Sequence, residues 1–191
     1  MTTTLDVEFV RSQFPAFAET SLQGQAFFEN AGGSYTCRQV IDRLHRFYTE
    51  RKVQPYGNYP ASQAGGAEMD EARTRLAALM NVETDELSFG PSTSQNTYVL
   101  AQAFAETLAA GDVVIVTDQD HEANSGAWRR LEARGMEIRE WQVDPESGQL
   151  ELDRLAEILD ERVKLVCFPH CSNIVGQENP VAKVAAMAHA V

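Results

Sequence analysis

Val113-Val114-Ile115-Val116-Thr117-Asp118-Gln119-Asp120-His121-Glu122-Ala123-Asn124 is the stretch on which the fold turns. Four aliphatic β-branched residues and a threonine run together, and the chain then switches at once to acids, an amide and a histidine. A short unbroken apolar run of this kind suits a strand buried on both faces, the pattern of a parallel sheet. Working outward, the same alternation recurs. Strands are predicted at Glu86–Phe89, Val113–Thr117, Glu137–Val143 and Val163–Phe168, and helices at Ser94–Ala109, Ala123–Ala133, Leu152–Asp160 and from Pro180 to about Ala190. Repeated β-α-β units imply an α/β fold with a mostly parallel sheet and helices on both faces. Ligands of such sheets bind beyond the carboxyl ends of the strands, so the residues that follow each strand carry the functional reading.

The first half reads differently. Leu5–Phe14 suits a short helix ended by Pro15, and Gln39–Arg51 a second helix with Val40, Ile41, Leu44, Phe47 and Tyr48 on one face. Glu68–Met80 suits a third, with Met69, Ala72, Leu76 and Leu79 or Met80 inward. Between the last two, Pro55–Pro60 must be irregular, and Asn30-Ala31-Gly32-Gly33 forms a tight loop after Phe27-Phe28. No repeat or linker interrupts the chain, which predicts one continuous unit.

Bulk properties narrow the function. The 191 residues are 43% hydrophobic and 23% charged, enough for one sizeable core, and the net charge is -12. That sign opposes phosphate backbones and anionic membranes, so neither nucleic acid nor a membrane is expected as a partner. With no basic-then-apolar leader and no run of 18 apolar residues, the reading is cytoplasmic. Cys37, Cys167 and Cys171 form no even-numbered disulfide framework and fit a reducing compartment. Cys167, His170 and Cys171 hint at a metal but lack a fourth ligand, so thiols without metal are expected.

Three stretches at strand ends could carry chemistry. Gly90-Pro91-Ser92-Thr93-Ser94-Gln95-Asn96 runs straight into a helix. Free N–H groups of a first helical turn plus three hydroxyls make a phosphate cradle, although one Ser or Thr capping the helix would explain the same residues. His121 can lie flat on a planar aromatic ligand or move a proton near neutral pH, or be a surface residue among acids. Asn173, in Pro169-His170-Cys171-Ser172-Asn173-Ile174-Val175-Gly176, can offer its amide to a ring oxygen or a carboxylate, or simply make a turn before Gly176.

Taken together these stretches resemble the signature blocks of class V aminotransferases, nearest the cysteine desulfurases and selenocysteine lyases. Phe28-Glu29-Asn30-Ala31-Gly32-Gly33 is similar to their "LDNAA" loop, and Phe89 to Asn96 to their "T-E-A-x-N" phosphate block. His121-Glu122-Ala123-Asn124 with Trp128 is similar to "HHAN…W", and Ser172-Asn173-Ile174-Val175-Gly176 with Asn179-Pro180 to "SN-x-x-G…NP". The resemblance covers nearly the whole chain. It implies the large-domain fold of fold type I enzymes, which use pyridoxal 5'-phosphate (PLP), from residue 25 to 191, with 1–24 belonging to the small domain. It further implies that Thr93 and Ser94 hold the PLP phosphate, that His121 stacks on the pyridine ring and shuttles protons, and that Asn173 bonds the ring 3-oxygen or the substrate carboxylate. Asn30, Ala31 and Gly32 would approach that carboxylate. The implied activity acts on an amino acid through a Schiff base, in a homodimer.

The departures from the pattern bear on the substrate. The second family histidine is Glu122, the Thr-Glu-Ala is Thr93-Ser94-Gln95, and the "RG-x-H" loop appears as Tyr56-Gly57-Asn58-Tyr59. Loss of a cation and an imidazole leaves desulfurase, aminotransferase and epimerase compatible. Lys52, Lys164 and Lys183 are the only lysines, and none is predicted at a strand's carboxyl end. The chain therefore reads as an N-terminal part that stops before the Schiff-base lysine. The other reading is a truncated, non-catalytic module that binds PLP or another phosphate.

Overall fold

The computed structural model describes residues 4–191, which divide into a first unit up to Ser88 and a second, Phe89–Val191. The second unit holds the sheet. Strands β1 (Val113–Thr117), β2 (Glu137–Trp141) and β3 (Val163–Val166) are all parallel, in the order β2-β1-β3. Every residue of β1 is buried, as its unbroken apolar run predicts for a central strand. Val113 pairs with Glu137 on one side and Val163 on the other, and the register to β3 shifts between Val113 and Val114.

Because side chains alternate along a strand, β1 serves two cores. Val114 and Val116 pack with Ala101 and Ala105 of α4 (Thr93–Ala105) and with Ala127 and Trp128 of α5 (Glu122–Arg129). Val113 and Ile115 point the other way, onto Trp141, Leu155 of α6 (Leu152–Ile158) and Val184 of α7 (Val181–Ala188). Each fully buried aliphatic side chain contributes about 1.5–3 kcal/mol, so these two layers hold the unit together. They realise the doubly covered α/β sheet expected from the sequence.

Element ends move where polar groups intervene. No strand forms at Glu86–Phe89 among the described residues. Instead Thr84–Glu86 is a 3-10 turn closed by a reciprocal cap, in which the Glu83 N–H donates to Glu86 Oε2 at 2.8 Å. Helix α4 stops at Ala105, not Ala109, and Asp112 Oδ2 accepts the Ala109 N–H at 2.7 Å in the turn that follows. Strand β2 stops at Trp141, short of Val143, whose N–H donates to Asp118 Oδ1 at 2.8 Å. Strand β3 is only partly buried, and Lys164 is exposed.

The first unit is helical. It contains α1 (Val7–Ser12), α2 (Arg38–Arg46), which passes into a π-helical turn at Phe47–Arg51, and α3 (Pro60–Met80). Helix α3 begins at Pro60, not Glu68, since proline suits the first helical position. It runs through Gly65-Gly66, and a Cβ at Gly66 would lie 2.6 Å from Tyr56 Cδ1, so the glycine lets that ring lie on the helix. Asn81, at φ 55°, ends α3 in the left-handed conformation. The apolar stripe expected inward is exposed: Met69 is 47%, Leu79 81% and Met80 59% accessible, and Ala77 is the buried apolar residue of the helix.

Candidate active site

Helix α4 starts at Thr93 because Ser92 is extended and its Oγ accepts the Gln95 N–H at 3.2 Å. The Asn96 N–H donates to the Ser92 carbonyl at 2.9 Å. Capping is thus done by Ser92, and the Thr93 and Ser94 N–H groups at the start of this 13-residue helix have no partner among the described residues. Both residues are exposed. Just before them, the Asn96 side chain folds back over Gly90, so that a Cβ there would fall 1.7 Å from Asn96 Oδ1. The positive end of the helix dipole and two open N–H donors make this turn competent for an anion.

His121 caps α5. Its Nδ1 accepts the Ala123 N–H at 3.0 Å, which assigns the ring proton of the neutral form to Nε2, and the ring is exposed. Asp120 anchors the turn from beneath: one carboxylate oxygen accepts the His121 N–H at 2.8 Å and the other accepts the Asn124 amide. Burial raises the Asp120 carboxyl above its ordinary range, against the lowering effect of these two bonds and of His121. Thr97 of α4 donates to Asn124 Oδ1 at 3.5 Å, tying the two helix starts together.

The structure brings Ser94 and His121 to one open groove of about 420 Å³, shared with Tyr98, Glu122, Ala123 and Arg130. Glu122, in place of the second family histidine, folds back along α5: a Cβ at Gly126 would lie 2.1 Å from its Oε1. Thr93, the residue before Ser94, is not part of the groove's lining. Asn173 lies on the loop after β3, exposed, in a turn that Ser172 organises by accepting the Ile174 and Val175 N–H groups at 3.3 Å each. Asn30, Ala31 and Gly32 belong to the first unit. There the Gly32 N–H donates to Glu29 Oε1 at 3.0 Å and Ser34 Oγ to Asn30 Oδ1 at 3.0 Å, forming the expected tight loop.

Sequence reasoning missed three contributors. Tyr98 and Arg130 line the groove just beyond the quoted blocks that end at Asn96 and Trp128, and only the packing of α4 on α5 reveals them. Gln119, buried beneath the His121 turn, was indistinguishable in sequence from a solvated loop residue.

The other candidate groups sit elsewhere. Cys167 packs against the core beside Leu165, and burial, with the nearby Asp120 charge, pushes its thiol up to about 12. Cys171 is exposed, and His170 faces Glu178 at 3.6 Å. Among the described residues no group of three His, Cys, Asp or Glu side chains could hold a metal. Lys52 follows the π-helical turn, Lys164 donates to the Glu161 carbonyl at 2.8 Å, and Lys183 lies on α7. None of the three is at the carboxyl end of a strand.

The second unit is a parallel α/β sheet, with the open start of α4 and the exposed His121 after β1 on one groove. The fold matches the apo cysteine desulfurase of Thermococcus onnurineus NA1 at a TM-score of 0.87 and 23% identity, over 100% of this chain and 46% of that one. It also matches C-DES, solved with glycine covalently linked to PLP, at 0.73 and 20% identity, over 98% and 46% of the two chains. Residues 26–191 match the aminotransferase class-V family, and the chain belongs to that family. A curated cysteine desulfurase of Serratia proteamaculans is 33% identical over 189 residues, 96% of this chain and 46% of the relative. The chain thus spans about half the length of the curated cysteine desulfurases it matches.

Proposed function

We propose that the chain forms the cofactor-binding part of a PLP-dependent enzyme of cysteine desulfurase type that acts on an amino acid. The observation that carries this reading is the groove lined both by Ser94, at the uncapped start of α4, and by the exposed His121. The donor set fits PLP: a dianionic phosphate suits an open helix start, and a flat ring suits a flat imidazole face. When bound, PLP supplies the electron sink for reaction at the substrate Cα or Cβ.

The chain's own residues would act as follows. Thr93 and Ser94 hold the phosphate by backbone N–H and hydroxyl, and Arg130 adds a cation at the groove. His121 covers one ring face and keeps its proton at Nε2, since Nδ1 is engaged by Ala123. Asn173 offers its amide to the ring 3-oxygen or the substrate carboxylate, and Asn30 to Gly32 serve that carboxylate. In this reading residues 25–191 contribute to the PLP-binding large domain and the working protein is a cytoplasmic homodimer. Three unpaired cysteines support a reducing compartment.

One observation favours a second reading for the chain acting alone. With no lysine at a strand's carboxyl end, it would hold PLP by its phosphate without covalent chemistry. Absorption spectroscopy of the full-length protein tests the main reading. An absorption band of imine-bound PLP that persists through gel filtration is expected, and His121→Ala should weaken the cofactor's retention about tenfold. An unchanged spectrum and unchanged retention in that variant would remove His121 from the site.

A further inference from the structure

Beneath the exposed site residues lies a buried set of side-chain amides. Gln119, two positions before His121, is 7% accessible and Asn179 2%. Gln119 Oε1 accepts from Asn179 Nδ2 at 2.8 Å, while its Nε2 donates to Gln177 Oε1 at 2.5 Å and to the Gly148 carbonyl at 3.1 Å. Asn179 Nδ2 also donates to the Pro169 carbonyl at 2.8 Å, and the Leu150 N–H donates to Gln177 Oε1 at 3.3 Å. Backbone bonds complete the clasp: the Asn179 N–H reaches the His170 carbonyl at 2.7 Å and the Ser172 N–H the Gln177 carbonyl at 2.9 Å.

The polarity of this set is fixed. Turning the Gln119 amide over would face its NH₂ against that of Asn179 and its oxygen against two acceptors. Both ends of the Gln119 amide are paired while Asn179 Oδ1 has no partner, and a buried, paired amide such as Gln119 costs heavily when removed. The three loops that follow β1, β2 and β3 all enter it, through Gln119, through Gly148 and Leu150, and through Pro169 to Asn179. The loop after β1 carries His121 and the loop after β3 carries Asn173.

We propose that Gln119, Gln177 and Asn179 form a positioning network that holds His121 and Asn173 in one shared frame at the carboxyl end of the sheet. It deepens the reading above, on which those two residues receive PLP. The residues act through their neighbours and touch no cofactor.

Amide chemistry makes the test selective. Gln119→Met keeps length and apolar stem but removes both donor and acceptor. Gln177→Met removes the acceptor shared by Gln119 and Leu150, whereas Gln177→Glu retains it. Two readouts on the 191-residue chain suffice: ¹⁵N NMR of the His121 ring and the Asn173 amide without ligand, and the Kd for pyridoxine 5'-phosphate, which has no aldehyde to react with surface lysines. Gln119→Met and Gln177→Met are expected to shift the His121 and Asn173 signals together and to raise the Kd about tenfold. Gln177→Glu should keep wild-type signals and affinity. Folded Met variants with unshifted signals, or a Glu variant that behaves like Met, overturn the proposal. Should Gln119→Met not fold, the two variants of partly exposed Gln177 decide by the same criteria. If the wild-type chain binds no pyridoxine 5'-phosphate, the cofactor reading falls, while joint shifts in the ligand-free protein still support the network and independent ones still overturn it.

Discussion

His121 is held at two points, its ring nitrogen by Ala123 and its backbone by Asp120, and this double hold makes a loop residue precise. The sequence showed the histidine and its place after a strand, but the hold depends on the next two residues and on burial of Asp120, which no spacing reveals. Glycines show the same dependence on neighbours. Gly126 and Gly66 are both helical, yet a Cβ at Gly126 meets only the end of the Glu122 side chain at 2.1 Å, whereas at Gly66 it meets the Tyr56 ring at 2.6 Å. Glu122 is exposed and can swing aside. Gly126→Ala should therefore be neutral or stabilise by up to about 1 kcal/mol through helix propensity. Gly66→Ala should destabilise by roughly 1–3 kcal/mol, because a ring must be displaced. Urea unfolding of the two variants checks both signs.

At the scale of elements, β1 was the most legible part of the chain: a continuous β-branched run has few alternatives, and the strand falls on the predicted residues Val113–Thr117. Glu86–Phe89 was misread because a capping box between Glu83 and Glu86 competes locally with a strand. Ile115 is fully buried in the second core, so Ile115→Ala should cost roughly 2–5 kcal/mol in urea unfolding. At the other end of the sheet from His121, Arg139 bridges Glu137 at 2.7 Å and Asp160 at 2.8 Å, and Arg162 pairs with the same two carboxylates. Hydrogen bonds from Arg139, then Arg162, lower both carboxyl groups. Lowered folded values mean that their contribution is present above the ordinary carboxylate pKa and is lost as pH falls through the lowered one. Asp120, which is raised, works in the opposite sense, its contribution being lost as pH rises. Arg139→Met should consequently flatten the acid limb of a stability-against-pH curve below about pH 4, measured by thermal unfolding, and leave the stability slope above pH 6 unchanged.

For the whole molecule, the two units differ in how much they bury. Both apolar cores belong to the second unit, while α1 and α2 contain no buried residue and α3 buries Ser62, Gly66 and Ala77. Amide hydrogen exchange in this chain should accordingly be much slower at Val114–Val116 than anywhere in α2 or the second half of α3. The amphipathic stripes of the first unit were legible in the sequence, but a stripe does not say what lies over it, and so its inward reading failed. Which ends of the strands lie together was legible, since parallel topology alone decides it. The network under them was not, because glutamine and asparagine between turns look alike whether buried or solvated. The central claim is that the start of α4 receives the cofactor phosphate. Backbone ¹H-¹⁵N spectra of the 191-residue chain, titrated with pyridoxine 5'-phosphate, test it most directly. The account predicts that the Thr93 and Ser94 amides move first and furthest, with the His121 ring signals following; saturable shifts elsewhere that leave Thr93 and Ser94 in place would contradict it.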